Sequence, residues 1–386
     1  MIAPTKLLIL GICFTTLLGS AGRAGPVPDA YRVDPDRHRH RIDGPGEPPA
    51  MKAPPRPFAP SESGARSDPD ALQSLADAVR SDVMLLHLDS LSTGLMTRYY
   101  DTAGMAAASQ YVYDRFADYG LDEVWFDDFI VNDVPVRNVV GVKAGAVDPD
   151  RIIMICGHLD STSPENQTLA PGAEDNGSGS AGVLEAARLL APLSTDASVY
   201  FVCFTAEEIG LVGSEHLAAI ADAEGWDLQA VLNMDMVGYD RPDPPDLWIE
   251  GFPGNPGSVA LMDLLEQTAT AHTDLAVYRY PGDGWGSDHV PFNSYGFPAI
   301  LAIDYDWNRY SCYHQTCDVV ENLTPAHFRE MIAAVTATGA GAAGLDATPG
   351  SVDGIADRTD DPDDAGILIE AAGTGYEPAT SGQGGA

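Results

Sequence analysis

Apolar residues return along this chain in two rhythms, one of period near 3.6 and one of short continuous runs. Leu72, Leu75, Ala76 and Val79 recur at helical spacing, and a second helical pattern covers about 104–119. Beyond that point the rhythms alternate. Segments 124–131, 136–142, 152–156, 199–204, 231–234, 247–249 and 299–303 read as strands, with helices over 178–190, 213–221, 259–271 and 325–341. The central strands are near-continuous Val/Ile/Leu runs, as expected where helices cover both faces of a sheet. The pattern predicts an α/β protein: a three-layer α/β/α sandwich around a central mixed, mostly parallel twisted sheet. No internal repeat is visible.

The flanks are different. Residues 1–24 have the form of an export signal, with Lys6 as the charged region, an apolar stretch over 7–18 and small residues at 20–24. That apolar stretch is much shorter than the ~20 residues a membrane span needs, and no other stretch is long and apolar enough. Residues 25–67 are rich in Pro, Gly, Arg and charge without an apolar period, which predicts a disordered linker or propeptide. The folded domain is placed at 68–345, and 346–386 reads as an acidic low-complexity tail. A secreted or periplasmic protein without stable membrane insertion is expected.

Against 57 Asp and Glu stand only 21 Lys and Arg, a net charge of −36, which excludes phosphate-binding partners such as nucleic acid. A strongly acidic surface also keeps a chain soluble, and a monomer is expected. Of five cysteines, Cys13 leaves with the signal, and Cys156 and Cys203 sit inside apolar runs as buried thiols. Cys312 and Cys317 lie five apart in a polar loop of an exported chain, which predicts a disulfide.

The chemistry lies between His158 and His314. His158-Leu159-Asp160, Asp175, Glu207-Glu208 and Asp235 follow predicted strands or a glycine-rich turn, and His314 lies in the polar cysteine loop. Open α/β sheets bind ligands beyond the carboxyl ends of their strands, so these distant residues are expected to converge there. Two imidazoles with several carboxylates form a donor set that suits zinc, with carboxylates left for a second ion and a base. Asp160, two residues from His158, is placed to accept from the second imidazole nitrogen. Adjacent Glu207 and Glu208 repel unless a cation neutralises them or one carries a proton. One ligand and one general base is the division that suits hydrolysis.

The motifs Gly-His-x-Asp at 157–160, Pro-Gly-Ala-x-Asp-Asn-Gly-Ser-Gly at 171–179, Phe-x-Ala-Glu-Glu-x-Gly-Leu-x-Gly-Ser at 204–214, Asn-Met-Asp-Met at 233–236, Ser-Asp-His at 287–289 and Tyr-His-Gln-x-Cys-Asp at 313–318 carry a resemblance. From about Asp68 to Gly344 the chain resembles the co-catalytic two-zinc aminopeptidases, relatives of glutamate carboxypeptidase and the transferrin-receptor-like domains. The resemblance implies two zinc ions per chain bridged by Asp175, one taken by His158 and Asp235, the other by Glu208 and His314. It implies Glu207 as general base, Asp160 orienting His158, Tyr313 stabilising the oxyanion, and peptides with a free N-terminus as substrates. Some secreted relatives carry an arginine before Ser-Asp-His; here Trp285-Gly286 stands there, which leaves recognition of the substrate terminus open. The alternatives are a one-zinc glutaminyl cyclase on the same fold, a carboxypeptidase or dipeptidase, and a binding module without metal. Scarcity of Arg and Lys near the site, with Arg279 and Arg309 as the nearby candidates, disfavours capture of a substrate carboxylate. The complete ligand set disfavours a metal-free module. Trp285, Phe292, Trp307 and Tyr310 are expected to line an apolar pocket.

Overall fold

The computed structural model describes residues 27–33, 50–59, 67–239, 245–282, 286–346 and 352. The expected export signal, Trp285 and nearly all of the acidic tail lie outside the described residues. Eleven strands are seen among them: β1 Ala30–Tyr31, β2 Glu123–Val131, β3 Val134–Lys143, β4 Asp148–His158, β5 Ser194–Thr195, β6 Ala197–Phe204, β7 Asp227–Met234, β8 Asp246–Gly251, β9 Ala276–Pro281, β10 Ala299–Ile303 and β11 Leu345–Asp346. The α-helices are α1 Pro69–Asp77, α2 Ser81–Leu91, α3 Ala103–Asp118, α4 Gly179–Leu190, α5 Val212–Glu224, α6 Pro256–His272, α7 His289–Ser294 and α8 Pro325–Ala343.

Nine strands form one sheet in the order β1-β2-β3-β6-β4-β7-β10-β8-β9. The middle four, β6, β4, β7 and β10, run parallel to one another. Residue alternation splits their side chains between two cores. Ile153 and Ile155 of β4 join Val199, Phe201 and Cys203 of β6 under α1, α2, α3, α4, α6 and α8. Ile152, Met154 and Cys156 join Val202 and Phe204 under α5 and α7. This is the three-layer sandwich that the apolar runs predict. Cys156 and Cys203 are free, buried thiols on opposite faces.

Several elements were not legible in the apolar pattern, α2, β9 and α7 among them. α2 follows α1 after a short turn, β9 is a half-exposed edge strand, and α7 is only six residues long. Nor does disorder hold for all of 25–67. Ala30–Tyr31 pairs in parallel with Ile130–Val131, and the Tyr31 hydroxyl lies 3.1 Å from His216 Nδ1. Lys52 and Arg56 sit over the rings of Tyr295 and Phe297, and Arg56 bonds Asp222 at 2.6 Å. These two stretches find partners only once α5 and α7 are folded, which composition does not encode. No helix among the described residues is long and apolar enough to cross a membrane.

Candidate metal centre

Parallel pairing brings the carboxyl ends of β6, β4 and β7 to one edge, level with one another. Cys156 of β4 lies opposite Asn233 of β7, so His158 and Asp235, each two residues further on, emerge side by side. His158 lies opposite Phe204 of β6, three residues before Glu207. Asp175 comes from the turn before α4, where its φ of −109° and ψ of 95° are non-helical. Asn176, rather than Asp175, supplies the cap: its Oδ1 accepts from Gly179 at 2.8 Å and from the Met236 amide at 3.2 Å, and its amide donates to the Met234 carbonyl at 2.8 Å. That releases the Asp175 carboxylate to face the site.

His158, Asp175 and Asp235 form one group whose nearest donor atoms all lie within 4.8 Å of one another, and Asp175, Glu208 and His314 form a second. Asp175 belongs to both. Its Oδ1 is 3.2 Å from His158 Nε2 and its Oδ2 is 3.0 Å from His314 Nε2. Asp235 Oδ1 lies 3.4 Å from His158 Nε2, and Glu208 Oε2 lies 3.0 Å from His314 Nε2. Glu207 is fully buried and stands 4.0 Å from His158 Nε2, outside both groups.

The loops carrying these residues are held under tension. Ala206, Met236 and His314 have φ of 64°, 52° and 54°, a region L-residues rarely adopt and one that costs on the order of 1–3 kcal/mol each. Ser287 donates to Asp235 Oδ2 at 2.6 Å and accepts from Asn233 at 2.8 Å. Asp160 is placed differently from the sequence expectation. His158 Nδ1 lies 3.0 Å from the Asp160 carbonyl oxygen, with the carboxylate at 3.7 Å. The carboxylate instead accepts the amides of Glu207 and Glu208, at 3.1 and 3.2 Å. One residue thus steadies the imidazole by its main chain and the glutamate pair by its side chain.

Burial of so many acids in one place shapes their protonation. Burial disfavours charge on His158, but Asp235 and Glu207 outweigh it and hold the imidazole well above its ordinary range. His314 is raised likewise, burial being outweighed by Glu208 and Asp175. Burial would raise Asp175, but the two histidines hold it well below the carboxylate range. Glu207 is pushed well above that range by burial and by Glu208, Asp288 and Asp235, although His158 opposes them. A carboxyl shifted in this way inside a cluster of donor groups is a candidate for acid–base work.

A buried polar layer lies behind the site, and sequence reasoning gave it no role. The Asp318 carboxylate accepts the amides of Glu174 and Asp175 at 2.9 and 3.0 Å and the Tyr310 hydroxyl at 2.7 Å. Glu174 accepts from Gly238 and Tyr239, and Asp304 accepts from Tyr239 at 2.8 Å and meets His327 Nε2 at 2.6 Å. The only sequence signal for Asp318 and Glu174 was their place inside the motifs.

An open pocket reaches the site, lined by Met236, Leu301, Ile303, Trp307 and Tyr313 beside Asp175 and Asp235. Trp307 lines it as expected. Phe292 does not: it packs on Phe204 and Phe297 in the opposite core. Tyr310 is turned to Asp318 and Tyr239. Tyr313 stacks on His314 with ring centroids 3.8 Å apart.

Cys312 and Cys317 are joined, with Cα atoms 5.3 Å apart, and close a ring around Tyr313 and His314. Short loops gain least from a crosslink through chain entropy, whereas displacement of a reacting group by about 1 Å can cost around 10²-fold. Replacement of both cysteines by serine is therefore expected to lower kcat/KM by roughly 10²-fold and the melting temperature only slightly. Thiol titration of the unfolded chain without residues 1–24 should find two thiols; four would refute the bridge.

The sequence profile of peptidase family M28 matches residues 138–339, more than half of the chain. The chain belongs to peptidase family M28. Leucine aminopeptidase 1 of Leptosphaeria maculans is 27% identical over 286 residues, covering 67% of this M28 peptidase and 69% of that protein. Aminopeptidase YwaD of Bacillus subtilis is 29% identical over 207 residues, covering 52% of this chain and 43% of its own length. Among solved structures, the LapA aminopeptidase of Legionella pneumophila superposes with a TM-score of 0.63 at 20% identity, over 75% of this chain and 77% of that one. A glutaminyl cyclase from Macrostomum lignano superposes with a TM-score of 0.60 at 19% identity, over 78% and 99%. The fold therefore accommodates both chemistries, and the choice rests on the site.

Proposed function

We propose that this M28 peptidase is an exported aminopeptidase whose site holds two zinc ions, with Asp175 as the bridge. The observation that carries the reading is the pair of donor groups sharing Asp175, one carboxylate oxygen toward each histidine. One ion would be held by His158 and Asp235 and the other by Glu208 and His314. The fit is supported by buried donor atoms left without a hydrogen bond: His158 Nε2, Asp175 Oδ2, both Glu208 oxygens and Asp235 Oδ1. Donors of this kind in this number suit zinc. Bound there, zinc would supply Lewis acidity toward a peptide carbonyl and make water a stronger acid.

The protein's own groups do the rest. Glu207 takes the proton of the attacking water and later returns it to the leaving amine. Asp160 fixes Glu207 and Glu208 through their amides. Tyr313, on the cavity wall, donates to the developing oxyanion. Burial and the neighbouring carboxylates hold its phenol well above its ordinary range, so it keeps its proton. Removal of N-terminal rather than C-terminal residues is supported by the fate of the cations. Arg279 is engaged by Asp263 and Glu266, and Arg309 bonds Asp306. Both arginines already have carboxylate partners, and the acid-rich site suits a free α-amino group.

The test is an assay of zinc-loaded protein on aminoacyl, N-blocked, C-terminal and N-terminal glutaminyl peptides, with zinc counted per chain. Hydrolysis of aminoacyl substrates alone with two zincs is expected. One zinc with cyclisation of glutaminyl peptides would overturn the reading in favour of a cyclase, and cleavage of N-blocked peptides at their C-terminus in favour of a carboxypeptidase.

A further inference from the structure

Arg98 lies beyond the turn after α2, fully buried, and its guanidinium donates to main-chain carbonyl oxygens. Its Nε donates to the Leu159 carbonyl at 2.7 Å. One terminal nitrogen donates to Leu91 at 3.0 Å and Pro171 at 2.7 Å, and the other to Gly172 at 2.8 Å. Leu159 stands between His158 and Asp160. Pro171 and Gly172 open the turn that delivers Asp175. A single planar group therefore spans the two loops that carry His158 and Asp175.

The same three segments are joined a second time. Ser161 Oγ accepts the Arg98 amide at 3.1 Å and donates to the Ala170 carbonyl at 2.7 Å. The glycine turn is wrapped tightly on this knot. Gly172 has φ of 53°, and a Cβ there would stand 2.4 Å from Ser161 Cβ and 3.2 Å from an Arg98 nitrogen. A Cβ on Gly177 would stand 2.8 Å from the Gly172 carbonyl oxygen. The glycines of this motif thus have a packing reason beside turn formation. Burial of a cation is costly unless it is well bonded. Here burial lowers the guanidinium to about 10, against the support of Asp318, Asp160, Asp175 and Glu208, so it remains charged at neutral pH.

We propose that Arg98 is a positioning residue of the metal centre: through Leu159, Pro171 and Gly172 it sets the separation of His158 from Asp175 before any cation arrives. Its fixed charge also relieves repulsion among the carboxylates. A lysine carries the same charge, but its compact ammonium cannot reach four divergent carbonyls in one plane. The inference rests on the two-zinc reading, and it concerns how tightly zinc is held.

Metal-free wild type, Arg98→Lys, Arg98→Met and Arg188→Met are titrated with zinc against a chromogenic chelator, and their melting temperatures are recorded. Arg188 is also buried, and it bonds Glu185 at 2.7 Å within α4. Partners that orient ligands typically contribute 10–100-fold to metal affinity, so both Arg98 variants are expected to bind zinc roughly tenfold to hundredfold more weakly. Arg188→Met should melt earlier yet bind as wild type does. Should Arg98→Met fail to fold, Arg98→Lys decides. Wild-type affinity in Arg98→Lys overturns the proposal, as does equal weakening in Arg188→Met, which would mean general loosening. Absence of tight zinc binding in the wild type would instead strike the two-zinc reading itself.

Discussion

Glu207→Gln is expected to lower kcat by on the order of 10²–10⁴, the usual worth of a positioned acid or base, with zinc content unchanged. The amide keeps the shape and burial of the side chain but cannot take a proton. Glu207 belongs to neither donor group, so metal should not be lost with it. Its environment is what a base of this kind requires. Burial and the acids around it lift the carboxyl well above its ordinary range, and His158 at 4.0 Å opposes that lift. Occupied metal sites would add positive charge and bring the group down, toward the range in which it can both accept and return a proton. Zinc content and kcat are measured on the same preparation. Near-wild-type turnover at full zinc occupancy would remove Glu207 from the chemistry.

Asp175→Ala should empty both donor groups. Among the described residues it is the one shared by both donor groups, 3.2 Å from His158 and 3.0 Å from His314. Loss of its charge also removes a large part of what holds His314 well above its ordinary range, so the imidazole becomes less basic and the second group keeps only Glu208 beside it. Elemental analysis after dialysis is expected to give less than one zinc per chain, with activity falling in parallel. Asp235→Ala, which touches only the first group, should leave one. An Asp175→Ala protein that keeps one full site would show that the carboxylate serves a single ion.

The local patterns carried much of this outcome. Strand and helix rhythms over 124–341 mark the layers because burial on both faces demands continuous apolar strands. The donor residues were legible as a group because all but His314 follow a strand or a glycine turn in chain order, and His314 lies in the cysteine loop. What was not legible has a common cause: the partner lies far away in sequence. Residues 27–33 and 50–59 look like linker by composition, yet Tyr31 meets His216 and Arg56 covers Phe297. Phe292 has the composition of a pocket residue but lies on the face of the sheet away from the site. Asp160 was expected to serve His158 through its carboxylate, and its backbone geometry gave that task to the carbonyl.

By itself, then, the sequence determined the α/β layering, the set of donor groups and the cysteine pair, because apolar period, residue chemistry and short separation are local properties. Only the tertiary structure decided which donors stand together in space, that Asp175 faces both histidines, and that Arg98 ties their loops. Register across parallel strands sets the first of these, since His158 and Asp235 meet only because Cys156 lies opposite Asn233. The last rests on carbonyl oxygens, which every residue carries and which therefore leave no trace in the sequence.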